Sequence, residues 1–260
     1  MVGPKFYAPD KKSELSKEEF IRIYSSNYFL EQNLSEQTLE KEEVVKGIRR
    51  SSKWVEEEIE RLLKDGIKNE NDIIHIIAWK VGKIKHAESD KLKTFVYSSD
   101  WNNCENFSAK LYGKELVESD FKKFIEYIQS HIIDLEDKAN KRDLQSVMNT
   151  LKEKSCAGIG TVYMITLLYF ISRGTWPIYD KYAQVAVTAI LKGSKPEDPI
   201  EYSEMPNKND TKFDIIMDEN GAYKKYVKDL KDIFGNEYNN RDVDRALWVY
   251  GHLFNTKGAC

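Results

Sequence analysis

Cysteine is scarce in this chain, and the few cysteines present exclude several kinds of site. Cys104, Cys156 and Cys260 show no paired spacing and no Cys/His cluster. Such a distribution supports neither a disulfide framework nor a zinc or iron–sulfur site. The four histidines are equally scattered along the sequence. We therefore expect no metal ion and no cofactor held by side chains.

Long apolar runs are also missing. The most apolar stretch, 162–171, has about half the length that a helix needs to cross a bilayer. Residues 1–15 are polar and contain no hydrophobic core of a signal peptide. At 260 residues and 41% apolar content the chain can still bury a sizeable core. We expect a soluble, cytoplasmic protein with no membrane partner, and nothing in the sequence indicates its oligomeric state.

The overall charge is small, but it is unevenly distributed. A net charge of −3 argues against an indiscriminate binder of polyanions. Within residues 141–193, however, seven Lys and Arg side chains exceed three Asp and Glu side chains, which leaves this segment at +4. Because a ligand docks on one face, the local charge decides whether it is attracted. This segment is the predicted place for an anionic partner.

Helical periodicity dominates the rest of the sequence and predicts an all-α fold. Ser16 to Glu19 form a capping-box pattern that begins the first helix. The Pro- and Asn-rich region 193–220 predicts an irregular insertion. The whole chain, 1–260, is interpreted as a single all-α unit, in one body or in two lobes. The later helices are predicted at Trp54–Leu63, Asn69–Ile84, Phe107–Tyr112, Ser119–Ile133, Leu144–Lys154, Thr161–Ser172, Asp180–Leu191, Ala222–Phe234 and Asp242–Phe254.

Chemistry is indicated by one segment, where a glycine-rich turn precedes a carboxylate. Gly158, Ile159 and Gly160 lie between two predicted helices, and the first turn of the second helix has amide N–H groups without intrahelical acceptors. Small residues let a phosphate approach such amides closely. Twenty residues after Gly160, Asp180 begins the next predicted helix. Lys154 and Lys181 lie beside the turn and the acid and can contact a nucleic-acid backbone.

In this segment, 144–187, the chain resembles the helix-hairpin-helix DNA glycosylase superfamily. The shared elements are Gly158-Ile159-Gly160, the apolar helix 161–170, Pro177 with Ile178, and Asp180. The segment covers about a sixth of the chain. One departure is an extra residue, since two residues separate Pro177 from Asp180 where the family more often has one.

The resemblance implies a DNA glycosylase acting in base excision repair on double-stranded DNA, with Asp180 as its catalytic carboxylate. Members that also cleave the strand have a lysine two residues after the second glycine, but Val162 stands there. Valine cannot form a Schiff base, so the resemblance implies hydrolysis without lyase activity. In this family the hairpin backbone can also bind a monovalent cation next to a DNA phosphate. The aromatic candidates for a pocket that holds the extruded base are Trp176, Tyr179 and Tyr163, with Tyr182 as a fourth because it follows Asp180 by two residues.

Each of these features also has an ordinary structural explanation. A Gly-x-Gly is often a tight turn, an Asp before a helix is usually an N-cap, and most aromatic side chains pack in the core. The three-residue spacing of Asp242 and Arg245 favours a helical ion pair, and His252 is interpreted as a surface or capping residue. Two other functions stay open: a non-catalytic helix-hairpin-helix nucleic-acid-binding protein, and a helical protein-interaction scaffold. The sequence does not indicate which base is recognised.

Overall fold

A computed structural model describes residues 3–10, 12–30, 51–80, 84–86, 95–97, 110–111, 114–115, 118–196, 198, 213–218 and 221–254. The described chain is mostly helical, which confirms the all-α prediction. It divides into two compact units. Unit 1 comprises Met1–Ser51 and Pro177–Cys260, and unit 2 comprises Ser52–Trp176. None of the described helices is long and apolar enough to cross a membrane.

Unit 1 is built around a helix that begins after Asp180. This helix, α8 (Lys181–Lys192), packs against the last helix, α11 (Arg241–Gly251), and α11 also packs against the first helix, α1 (Lys17–Ser26). The Ser16 capping box predicted for α1 is present, with the Ser16 side chain accepting from the Glu19 N–H and the Glu19 side chain accepting from the Ser16 N–H. The elements of unit 1 are β1 (Phe6–Tyr7), β2 (Glu14–Leu15), α1 (Lys17–Ser26), β3 (Phe29–Leu30), α8 (Lys181–Lys192), α9 (Phe213–Met217), α10 (Ala222–Phe234), a 3-10 turn (Gly235–Glu237) and α11 (Arg241–Gly251).

Unit 2 has an apolar helix, α7, at its centre. This helix spans Thr161–Ile171, and all of its side chains except that of Val162 are buried. It packs against α3 (Glu70–Lys80), α5 (Ile132–Asn140) and α6 (Leu144–Lys154). Its burial explains why this helix shows no amphipathic pattern. Strand β4 (Ser51–Ser52) lies at the division between the units. The elements of unit 2 are α2 (Lys53–Asp65), α3 (Glu70–Lys80), β5 (Ile84–His86), β6 (Phe95–Tyr97), β7 (Lys110–Leu111), β8 (Lys114–Glu115), α4 (Glu118–Ser130), α5 (Ile132–Asn140), α6 (Leu144–Lys154) and α7 (Thr161–Ile171).

Three predictions about elements in unit 2 were wrong. The helix predicted to end at Ile84 ends at Lys80, and Ile84 begins a strand that pairs antiparallel with Phe95–Tyr97. The predicted helix 107–112 is wrong at Lys110 and Leu111, the two of its residues that the structure describes. These two residues form a strand that pairs with Lys114–Glu115. Gly113 lies between these two segments in the sequence, and glycine favours hairpin turns, but the helical prediction did not take this residue into account. The predicted helix 119–133 is two helices, α4 and α5, which meet at His131.

The predicted insertion 193–220 lies mainly outside the described residues. Its first residue, Gly193, ends α8 in the left-handed conformation, with φ +66°, which is typical of a glycine after a helix. Helix α9, Phe213–Met217, is described within the same region and packs against α10.

Arg173 connects three parts of unit 2. Its Nη1 donates to the Lys64 carbonyl oxygen at 2.8 Å, at the end of α2, and its Nη2 donates to Glu136 Oε1 at 2.9 Å. The guanidinium lies where a Cβ at Gly66 would stand. Gly66 also has a φ of +80°, which side chains rarely adopt. The close approach of Arg173 therefore requires glycine at position 66.

We expect Gly66→Ala to destabilise the protein more than Gly174→Ala does. Both glycines have a φ of +80°, so both variants lose about 1 kcal/mol to the left-handed conformation. A Cβ at Gly174 meets only Tyr169, at 3.7 Å, whereas one at Gly66 displaces Arg173. Loss of the Arg173 hydrogen bonds should add about 1 to 2 kcal/mol. Urea unfolding midpoints measure the difference, and equal midpoints would show that Arg173 moves aside at no cost.

Candidate functional site

The glycine-rich turn of unit 2 joins two packed helices, as predicted. Helix α6 ends at Lys154 and α7 begins at Thr161, so the predicted boundaries of this pair are confirmed to within one residue. Gly158 has a φ of +99°. Gly160 is the N-cap of α7, with φ −86° and ψ 175°, and a Cβ built on it meets nothing within 4 Å. Gly160 is therefore not required by any packing within the described protein.

The turn is anchored by Ile159 and by backbone hydrogen bonds. The Ile159 side chain is buried, and its N–H donates to the Cys156 carbonyl oxygen at 3.1 Å. The Gly160 carbonyl oxygen accepts from the N–H groups of Tyr163 at 3.0 Å and Met164 at 3.2 Å. Burial raises the pKa of the Cys156 thiol to about 11, so this thiol is protonated at neutral pH. The turn thus presents backbone amides, and not a thiolate, at the start of α7.

The positive charge of residues 141–193 is partly compensated in the folded unit. Lys154 Nζ lies 2.6 Å from Glu153 Oε1 and 5.2 Å from the centroid of the Tyr127 ring. Arg173 pairs with Glu136 and Lys141 pairs with Asp137, both acids that precede the segment. Counting charges along the segment therefore overestimates the positive charge that a ligand would meet. Exposed pairs of this kind exchange partners at little cost, which leaves Lys154 able to contact a phosphate.

Asp180 lies in unit 1 as the N-cap of α8. Its backbone is extended, with φ −144° and ψ 169°, and its Oδ1 accepts from the Ala183 N–H at 2.9 Å. This hydrogen bond fixes the direction of the carboxylate, and the side chain remains half-buried. Lys181 follows on the exposed side, with its Nζ 5.8 Å from the centroid of the Tyr182 ring.

Three of the four predicted pocket aromatics, Tyr179, Tyr163 and Trp176, differ in their exposure. Tyr179 is 3% exposed, and its ring makes edge contacts with Tyr223 and Tyr226 in the core of unit 1. Tyr163 is buried in unit 2. Trp176, the last residue of unit 2, is half-buried, and its backbone N–H donates to Ser172 Oγ at 3.1 Å. Of the three, Trp176 has the most accessible side chain.

The sequence did not predict that Tyr182 and two side chains of α11 form an aromatic cluster. The Tyr182 and His252 rings stack with their centroids 3.3 Å apart and an interplanar angle of 19°. Trp248 contacts both rings, at centroid distances of 4.0 Å to His252 and 6.2 Å to Tyr182. All three side chains are half-buried. Because Tyr182 follows Asp180 by two residues, this cluster lies in the first turn of the helix that Asp180 caps.

Gly251 explains why α11 lies so close to α8. A Cβ at Gly251 would overlap the Tyr182 carbonyl oxygen and would stand 3.0 Å from the Tyr182 Cα. Only glycine allows this backbone approach. The approach brings the end of α11, including His252, onto the first turn of α8. A glycine followed by a histidine at the end of a predicted helix was the only local signal of this contact.

His252 is held in a defined tautomer. It is the C-cap residue of α11, as predicted, and its Nδ1 lies 2.7 Å from the Trp248 carbonyl oxygen. A carbonyl can only accept, so Nδ1 carries the proton and donates it. Burial lowers the pKa of His252, while the Trp248 carbonyl and the charge of Asp180 raise it and the charge of Lys181 lowers it. At neutral pH the imidazole is therefore uncharged.

A second carboxylate, Asp244, lies on α11 near the same buried tyrosine as Asp180. Burial raises the pKa of Tyr226 well above its ordinary value, and the negative charges of Asp244 and Asp180 raise it further. Asp244 forms an ion pair with Arg241. The ion pair predicted for Asp242 and Arg245 is also confirmed, with 3.1 Å between Asp242 Oδ1 and Arg245 Nη1.

Comparison with protein-family models, with curated proteins and with solved structures gives no match to this chain. Within the described ranges, no group of three or more His, Cys, Asp and Glu side chains is arranged to hold a metal ion. The function must therefore be argued from the hairpin turn of unit 2 and the Asp180 site of unit 1, each taken by itself.

Proposed function

We propose that this chain is a monofunctional DNA glycosylase that hydrolyses the N-glycosidic bond of a damaged or modified base in double-stranded DNA. The observation that carries the proposal is the Asp180 carboxylate, which the Ala183 N–H holds at the start of α8, the helix whose first turn carries Tyr182 in contact with the half-buried ring of Trp248. The glycine-rich turn at the start of α7 is the second support, because its geometry suits a phosphate.

Asp180 would supply the chemistry of base release. As the glycosidic bond breaks, positive charge develops on the sugar, and a fixed carboxylate stabilises that charge. The same carboxylate can accept a proton from the water that attacks the anomeric carbon. Because Ala183 already fixes the carboxylate, little reorganisation is needed during the reaction. Val162 cannot act as a nucleophile, so water is the attacking group.

The Tyr182 and Trp248 rings of the aromatic cluster would hold the extruded base. Enzymes that act on bases extrude them from the duplex and stack them on aromatic side chains. Trp248 and Tyr182 are half-buried, and the Lys181 side chain lies over the Tyr182 ring. The predicted pocket residue Trp176 lies in unit 2 and stays a separate candidate, whereas Tyr179 would support the site from the core of unit 1.

A panel of duplexes tests this function. Each duplex carries one uracil, alkylated or oxidised base, and abasic sites are detected as alkali-dependent strand breaks. We expect release of at least one kind of base and no strand break without alkali. Binding of duplex DNA without release of any base would favour the non-catalytic nucleic-acid-binding alternative. Absence of salt-dependent DNA binding would favour the protein-interaction scaffold.

Gly160→Ala tests whether the turn binds a phosphate. The added Cβ meets nothing within 4 Å, and the φ of −86° suits alanine, so the fold should lose at most about 1 kcal/mol. A bound phosphate would be pushed away from the amides at the start of α7. We expect DNA affinity to fall about tenfold, as for the loss of one hydrogen bond to a charged group. The measurement is fluorescence anisotropy with a labelled duplex.

Gly3→Ala is the matched control for this variant, because a Cβ at Gly3 also meets nothing within 4 Å. It should leave both stability and DNA affinity unchanged. If Gly160→Ala binds DNA as tightly as the unmodified protein does, the turn is not a phosphate site.

A further inference from the structure

The His252 ring packs on Tyr182, in the first turn of the helix that Asp180 caps, yet the proposed reaction does not use it. Its ring is stacked on Tyr182 and its Nδ1–H is fixed by the Trp248 carbonyl oxygen. Among the described residues, nothing forms a hydrogen bond with its Nε2. The charged groups that act on the imidazole are Asp180, the N-cap of α8, and Lys181, the first residue of that helix. A proton taken up by His252 would therefore be added at Nε2, within the electrostatic range of Asp180.

We propose that His252 is a positioning residue that leaves the charge of Asp180 undiminished while its imidazole is neutral and offsets that charge once the imidazole is protonated. This inference rests on the proposed function. Neutral His252 supports the aromatic cluster without compensating the negative charge of Asp180. Protonated His252 is a cation whose charge acts on that carboxylate, and it weakens the stabilisation that Asp180 gives to the developing positive charge on the sugar.

The physical basis is the fixed geometry of the imidazole. Gly251 brings the backbones of α11 and α8 together, so the ring of the next residue, His252, cannot move far from Tyr182. The Trp248 carbonyl holds one nitrogen and leaves the other to titrate. Burial disfavours the charged ring and lowers the pKa of His252 below its ordinary value, so the imidazole is neutral at neutral pH and takes up a proton only under acidic conditions.

The coupling between His252 and its two charged neighbours can be measured without any substrate. NMR titration of the imidazole protons should give a lower His252 pKa in Asp180→Asn, because an attractive negative charge is lost. It should give a higher pKa in Lys181→Gln, because a repulsive positive charge is lost. The His252 signal is assigned as the one absent from His252→Asn. A His252 pKa that both substitutions leave unchanged would overturn the proposal.

The pH profile of base release then tests the consequence for the reaction. In the unmodified protein, release should fall as the pH drops through the His252 pKa. In His252→Asn, whose amide can still donate to the Trp248 carbonyl oxygen, the fall should move to lower pH by about one unit. Release should stay near the level of the unmodified protein at neutral pH. Loss of activity at every pH would contradict the proposal, because it would indicate a purely structural role.

His131 provides a matched control. Its ring also stacks on a tyrosine, Tyr127, at 4.1 Å and 19°, and its Nδ1 also lies 2.9 Å from a backbone carbonyl oxygen. His131→Asn should leave the pH profile unchanged, and an equal shift in this variant would count against His252. A protein that releases no base from any duplex would remove the proposed function, whereas an unmoved His252 titration would remove only the role of His252.

Discussion

Asp180→Asn is expected to reduce base release about a thousandfold and to leave the fold intact. The asparagine side chain caps a helix as well as aspartate does, so the hydrogen bond from the Ala183 N–H can be kept. What is lost is the negative charge that stabilises the sugar cation and accepts a proton from water, a contribution typically worth about a hundred- to ten-thousandfold in rate. Single-turnover kinetics on the preferred duplex measures the effect.

The Asp180→Asn variant is expected to bind DNA at least as tightly as the unmodified protein does. Removing a negative charge near the DNA backbone cannot weaken electrostatic attraction, so the Kd should be unchanged or lower. Asp143→Asn is the matched control, because Asp143 is also an N-cap, accepting from the Ser146 N–H at 3.1 Å at the start of α6. It should release base at the rate of the unmodified protein. If both variants release base equally well, Asp180 has no catalytic role.

Gly251→Ala is expected to produce the largest loss of stability. Its added methyl group would overlap the Tyr182 carbonyl oxygen, which is backbone and cannot rotate away. Separating α11 from α8 should cost about 3 kcal/mol, at the upper end of the usual range for overpacking. For a protein of this size such a loss lowers the Tm by about 6 to 12 °C. Calorimetry or circular dichroism measures the transition.

Whether Gly251→Ala raises or lowers the Tm distinguishes a gain in helix propensity from a steric overlap. Alanine is a better helix former than glycine by about 1 kcal/mol, so without the overlap the variant would be more stable than the unmodified protein. Gly160→Ala adds a methyl group that meets nothing within 4 Å and loses at most about 1 kcal/mol as an N-cap replacement, so a larger loss in Gly251→Ala measures the overlap. A Gly251→Ala protein with an unchanged or raised Tm would show that the close contact between α8 and α11 is not required.

Features set by neighbouring residues were predictable from the sequence. The boundaries of α6 and α7, the Ser16 capping box and the Asp242–Arg245 ion pair each depend on residues at most four positions apart in the chain or on a continuous periodic pattern. The start of α8 at Asp180 belongs to the same group, because an N-cap is recognised from its own side chain and the pattern that follows.

Contacts between distant segments were not predictable in the same way. Trp248 and His252 approach Tyr182 only because Gly251 allows two backbones to come together, and a single glycine does not reveal its partner. The compensation of Arg173 by Glu136 likewise joins residues far apart in the sequence. The strand at Lys110–Leu111 was missed because a short apolar pattern suits a helix or a strand equally well. The catalytic role of Asp180 stays a prediction.

Mass spectrometry of the duplex panel in heavy-oxygen water tests the central claim most directly. The account predicts that one strand loses a single base, gains the heavy oxygen at the abasic sugar and stays unbroken, and that Asp180→Asn prevents all three changes. A panel in which no strand loses a base, or in which Asp180→Asn releases it as fast as the unmodified protein does, would contradict the account.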